Sequence, residues 1–216
     1  MLRNTPAGWG SGAKALHWVT VLLICAAVPA GYLMGYTYPL SLRDKLGLAV
    51  HQFAGQIHHT VGFLILALTL LRLAWRLFGP VPAAAGVFRF QGPMSRITQY
   101  ALCAALIGLP VSGWLALSVF GAPIWFLDRG DIVPAIAPRL PPDDPHGYGF
   151  FAAIHVWLLT LGAALLALHV TAALWHHFVR RDDTLRRMWP LAALNVSPGP
   201  RPGGSPEIRS GDLQGP

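Results

Sequence analysis

Four stretches of this 216-residue chain contain no Asp, Glu, Lys or Arg: residues 15–42, 46–71, 97–127 and 147–179. Each exceeds the ~20 apolar residues needed to cross hydrocarbon as a helix. Backbone in lipid must satisfy its own hydrogen bonds, so only helices or closed barrels qualify. The alternation that barrel strands require is missing here. The pattern predicts an all-α integral membrane protein, a four-helix up-down bundle with helices over about 13–34, 48–77, 95–120 and 149–179.

The punctuation agrees with these bounds. The first helix is expected to leave through Gly35 to Pro39, and the second to stop before Gly79-Pro80-Val81-Pro82. Ser95 is a candidate cap for the third helix, which Gly108-Leu109-Pro110 should kink. The connection from Gly121 to Tyr148 holds six prolines and the apolar run Ile124 to Leu127, which predicts a partly ordered cap on the outer face. Residues 1–190 read as one domain, and the Pro, Gly and Ser tail over 191–216 as disordered.

Only 12% of residues are charged, and the formal net charge is +7. In a soluble protein such an excess would point to nucleic acid, but here its distribution is what matters. With a cytoplasmic N-terminus, twelve Lys and Arg residues fall on the inner side and four (Arg43, Lys45, Arg129 and Arg139) on the outer. That asymmetry places both termini in the cytoplasm. Arg3 and Lys14 before the first apolar run imitate a secretory signal, but the run is too long for a signal core. Cys25 and Cys103 have no framework spacing and read as small buried hydrophobes.

Histidines are costly in hydrocarbon and need compensation. Of the nine, seven (His17, His58, His59, His155, His169, His176 and His177) lie in or at the ends of predicted helices; His51 sits by the outer loop and His146 within the long connection. His155 and His169, fourteen residues apart, project from nearly the same helix face ~21 Å from each other. Up-down topology brings His58 and His155 together toward the outer face. His17 lies toward the inner side with His169, although by the charge boundaries alone His176 matches the depth of His17 better. Facing imidazoles at two depths suit bis-histidine ligation of haem iron better than zinc, which takes four ligands or three and a water. Arg72 follows His58 by fourteen residues and so reaches the depth of His169, where it could hold a haem propionate or mark the helix end.

These residues resemble the bacterial cytochrome b561 family of four-helix, two-haem membrane proteins. The matching signals are Leu16-His17-Trp18, His58-His59-Thr60-Val61-Gly62 with Arg72 ten residues on, Leu109-Pro110-Val111-Ser112-Gly113-Trp114, and Leu168-His169 through His176-His177-Phe178 into Asp182-Asp183 and Trp189-Pro190. The resemblance covers about residues 12–190. It implies two b haems with iron ligands His17, His58, His155 and His169, with His17 paired to His169 and His58 to His155. It further implies a bacterial inner membrane location and electron exchange between quinone or quinol and another redox partner, protein or small molecule. The chain departs from the family at His59, where Lys is frequent and which is therefore a rival ligand, and at Val156, where Glu is frequent.

Three functions follow as expectations. The first is a transmembrane electron-transfer di-haem cytochrome linked to the quinone pool, with Arg72, His176 and His177 as quinone contacts, lipid as surroundings and a homodimer left open. The second is a haem-bearing membrane subunit of a larger complex, such as a hydrogenase or formate dehydrogenase. The third is a haem-free transporter or metal carrier using His58, His155 and His146, disfavoured because no membrane Asp or Glu is available.

Overall fold

A computed structural model describes residues 2–5, 8–80 and 91–189. Four long helices carry the chain: α1 (Ser11–Ser41), α2 (Lys45–Phe78), α3 (Gln91–Phe120) and α4 (Tyr148–Trp175). A π-helical turn over His176–Arg180 extends α4, and a short α5 covers Thr184–Met188. All four long helices have the length and hydropathy to cross a membrane. The expected tail over 191–216 lies outside the described residues.

The helices are longer than the sequence pattern predicts. α1 does not leave at Gly35 but continues to Ser41 with Pro29 and Pro39 inside it. Helix is the cheapest conformation in lipid even at a proline, because neighbouring groups can satisfy the freed carbonyl. Asp44 then caps α2, its carboxylate accepting from Gly47 N–H at 2.6 Å. Ser95 does not cap α3, which starts a turn earlier; its hydroxyl instead accepts from Gln99 Nε2.

Small residues let α1 and α2 approach closely. Ala13, Thr20, Ala27, Ala30 and Thr37 of α1 and Gly47, Ala54, Gly55, Thr60 and Thr69 of α2 are buried. Van der Waals packing of small side chains is the main source of helix association where lipid tails are as apolar as the protein. α3 contributes Ala105, Ser112, Ala116 and Ser118. None of the residues of α4 is buried; its histidine rings reach across to α1 and α2. Cys25 is exposed on α1 and Cys103 half-buried, both as free thiols, so neither is the fully buried hydrophobe its window predicts.

The two ends of the bundle are closed differently. At one end the long connection is pinned to helix termini: Trp114 Nε1 donates to Pro134 O, Ile136 N to Ser118 Oγ, and Leu140 N to Val119 O. Ile124 is buried, and Trp125 N and Leu127 N donate to His59 Nδ1 and Thr60 Oγ1 on α2. This is the cap end. At the other end both described termini meet: Trp18 Nε1 donates to Met188 O at 2.8 Å and Lys14 Nζ to Trp189 O at 3.3 Å, with Trp18 against Trp189. The segment after α4 therefore straps back over the start of α1.

That strap turns at Asp182. Its carboxylate lies 2.6 Å from His176 Nδ1 and accepts from Thr184 N at 2.9 Å. Partial burial pushes the carboxyl pKa up, but hydrogen bonds from Thr184 and His176 outweigh this and hold it at about 2. Since the folded value lies below the ordinary 3.8, the stabilisation is complete above pH 3.8 and is lost as pH falls toward 2. Asp182→Asn should loosen the strap at neutral pH, read as several-fold faster tryptic cleavage after Arg186 or Arg187. Unchanged cleavage would mean that Trp18 and Lys14 hold the strap by themselves.

Candidate functional site: two histidine pairs between facing helices

The structure brings the four predicted histidines together as two pairs. His58 of α2 and His155 of α4 have ring centres 6.1 Å apart at the cap end; His17 of α1 and His169 of α4 have ring centres 6.3 Å apart toward the terminal end. A metal ion bonded at ~2 Å to two opposed imidazole nitrogens separates the ring centres by about 6 Å. Both spacings match that requirement. Among the described residues, no group of three or more His, Cys, Asp or Glu side chains converges to hold a metal ion.

The cap-side pair has its tautomers fixed. His58 Nδ1 lies 2.9 Å from Ala27 O, and His155 Nδ1 lies 2.8 Å from Leu109 O. A carbonyl can only accept, so each Nδ1 carries the ring proton and each Nε2 keeps a free lone pair. Metal-ligating histidines characteristically donate their other N–H in this way. The two clamps are built alike. Ala27 is followed four residues on by Gly31, and Leu109 by Gly113, with a proline between in each case. A Cβ at Gly31 would stand 2.7 Å from His58 Cε1, and one at Gly113 would stand 3.3 Å from His155 Nδ1 and Cε1. The glycines let each ring lie against the backbone that fixes it.

Beside this pair lies an apolar cavity of about 770 Å³ including its mouth, lined by Met34, Gly62, Phe63, Trp114 and Leu117 among others. Gly62, one turn after His58 on the same face, has open space where a Cβ would project. His59 borders the cavity too, but its Nδ1 accepts from Trp125 N at 3.3 Å. Its proton therefore sits on Nε2, and the contact latches the cap to α2. His51 Nδ1 is bonded to Met34 O at 3.0 Å, beside Tyr38. His146 stands outside the bundle against Phe150.

The terminal-side pair is less completely satisfied. His17 Nδ1 is buried with no hydrogen-bond partner among the described residues, as are Thr69 Oγ1, Arg76 Nε and Asn4 Nδ2. Buried polar atoms without partners are rare in folded proteins, and these lie toward one end of the bundle. Arg72 follows His58 by fourteen residues within α2, which brings it to the depth of His169. Arg76 is held between α2 and α3 by Gln99 Oε1 and the Tyr100 ring, 4.9 Å from the ring centre. His176 is taken up by Asp182, while His177 stacks edge-on with Phe178. Pattern reading finds the ligand candidates but misses Ser112, Gly31 and Gly113, although Leu109 to Trp114 stands out as a motif. Its carbonyl acceptors leave no side-chain signal.

The prokaryotic cytochrome b561 family matches residues 8–191. Cytochrome b561 homolog 2 of Escherichia coli (strain K12) is 29% identical over 189 residues, covering 86% of this chain and 93% of that protein. Cytochrome b561 homolog 1 of the same organism is 25% identical over 182 residues, covering 81% and 93%. A probable superoxide oxidase CybB of Yersinia pestis is 26% identical over 182 residues, covering 81% and 92%. The chain belongs to the prokaryotic cytochrome b561 family and is a membrane haem protein of the b type.

Two glycine substitutions separate ring packing from cavity occupancy. Gly31→Ala sets its methyl 2.7 Å from His58 Cε1, so the ring must move off Ala27 O, and the haem spectrum of the protein should change. Gly62→Ala meets no protein atom within 4 Å, so the bundle should fold normally, and a haem lying in the cavity beside His58 would show a broadened or weakened spectrum. A wild-type spectrum in Gly62→Ala would mean that the cavity beside His58 is not where the haem lies.

Proposed function

We infer that this chain is a di-haem electron-transfer cytochrome in which His58 and His155 ligate one haem and His17 and His169 the other. The observation that carries this reading is the repeated ~6 Å spacing of facing imidazoles at two depths. Bound haem supplies reversible one-electron chemistry at potentials set by its ligands and their surroundings. The protein's own residues supply everything else. The carbonyls of Ala27 and Leu109 orient the cap-side rings, and the lining of that site is mostly apolar. Arg72 offers a guanidinium at the level of the other pair, where a propionate carboxylate needs a counter-charge. The unpartnered donors His17 Nδ1, Thr69 Oγ1 and Arg76 Nε lie toward the same end.

Two sites ~21 Å apart along α4 serve electron passage between the membrane faces. The bias of Lys and Arg toward the terminal end supports a cytoplasmic terminal end with the cap on the opposite side. Quinone or quinol is the partner in the bilayer, with Arg72, His176 and His177 as its contacts at the terminal end. The likeness to the Yersinia pestis protein favours superoxide as a second partner. Two superoxide ions would then become two O₂, and their two electrons with two protons would convert one quinone to quinol.

Mixing the oxidised purified protein with a short-chain quinol should reduce both haems in sequence. Haems that quinol does not reduce and that, once reduced, quinone does not reoxidise would overturn the quinone assignment. A steady superoxide source without quinol should likewise reduce the oxidised haems, and full suppression of that reduction by superoxide dismutase distinguishes it from direct chemistry of the source. Arg72→Leu should shift the midpoint potential of the haem that is lost in His169→Ala and leave the other unchanged; an unmoved potential would remove Arg72 from that site.

A further inference from the structure

The two cap-side clamps differ in one atom. His58 Nδ1 meets a single acceptor, Ala27 O at 2.9 Å. His155 Nδ1 meets Leu109 O at 2.8 Å and also lies 3.1 Å from Ser112 Oγ. Ser112 is itself buried, and its hydroxyl donates to Leu109 O at 2.9 Å. With its one proton committed to that carbonyl, Ser112 Oγ has only lone pairs to present to the ring. The Nδ1–H of His155 is therefore shared between two oxygens where that of His58 faces one.

We propose that Ser112 is a positioning residue for His155, sharing its Nδ1 proton with Leu109 O and so making the two cap-side imidazoles unequal as donors. This rests on the assignment of His58 and His155 as ligands of one haem. A ring whose N–H is drawn toward two acceptors carries more electron density at its opposite nitrogen, and a more basic ligand favours the oxidised metal. Ser112 thus lowers the potential of the cap-side haem. It also fixes the rotation of the ring, because two acceptors about one N–H define a plane that one acceptor does not.

The position in α3 explains why the arrangement is available. Pro110 has no N–H to return to the preceding turn, which loosens the helix at this point. Ser112 bonds back to Leu109, three residues earlier, so both oxygens converge on the same ring from one turn of backbone. Nothing comparable stands on α1, where Pro29 and Gly31 frame His58 with no hydroxyl between them.

The test is a redox titration of the purified wild type and of Ser112→Ala, Ser112→Thr and Ser118→Ala. The cap-side haem is identified as the component missing in His58→Ala. Ser112→Ala should raise that haem's potential, shifting its ferrous-to-ferric ratio at fixed ambient potential on the order of fivefold, the equivalent of one ordinary hydrogen bond. Its low-spin ferric electron paramagnetic resonance signal should move as well. Ser112→Thr keeps the hydroxyl and should titrate as wild type. Ser118→Ala removes a buried α3 hydroxyl that bonds only to its own helix and the cap, and should leave the potential alone. An unchanged or lowered potential in Ser112→Ala, or an equal shift in Ser118→Ala, overturns the proposal. A wild type without two haems would instead overturn the ligand assignment on which it rests.

Discussion

A histidine in hydrocarbon has two ring nitrogens to satisfy and no water to do it with. That constraint organises this bundle. Helix backbones use their own carbonyls within each helix, so an extra acceptor for a histidine must come from a carbonyl that a neighbouring ring can approach. Ala27 O and Leu109 O serve this purpose, each with a proline one or two residues later and a glycine four residues later. Once Nδ1–H is bound there, Nε2 faces the space between helices as a bare lone pair. The requirement that this nitrogen also find a partner is what supports reading the inter-helix space as a haem site and not a packing defect.

The same constraint separates the two ends. Around His58 and His155 the protein completes its own hydrogen bonds, down to the cap, whose Trp125 and Leu127 amides are spent on His59 and Thr60. Around His17 and His169 it leaves donors open, and brings the Arg72 charge to the same depth. An apolar pocket with its hydrogen bonds made at one end and a donor-rich one at the other would give two haems bound there different surroundings. Differing polarity around otherwise similar axial ligands is a sufficient cause for two potentials, and a potential difference gives electron flow a direction.

The absence of charge from four long windows made the architecture legible, because lipid leaves so few alternatives. Helix ends were less legible: Gly35 and Pro39 would stop a helix in water, yet α1 runs through both to Ser41. The pairing of His17 with His169 was ambiguous from charge boundaries, since His176 sits at a similar depth. The structure gives His176 to Asp182, six residues on, through a π turn whose following residue, Arg181, adopts φ 55°. That reversal has no periodicity to betray it. His59 was legible only as a departure from the family pattern; its role as acceptor for Trp125 depends on a loop from the other half of the chain. Carbonyl clamps on His58 and His155 belong to backbone and could not be read from side-chain identity.

The central claim is that two histidine pairs hold two haems. A dithionite-reduced minus oxidised visible spectrum with haem-to-protein stoichiometry, taken on the wild type and on His17→Ala, His58→Ala, His155→Ala and His169→Ala, tests it most directly. The account predicts two low-spin b haems per chain, one lost in each variant, with His58→Ala and His155→Ala losing the same component and His17→Ala and His169→Ala losing the other. A wild type with a single haem, or variants that group in any other way, would contradict it.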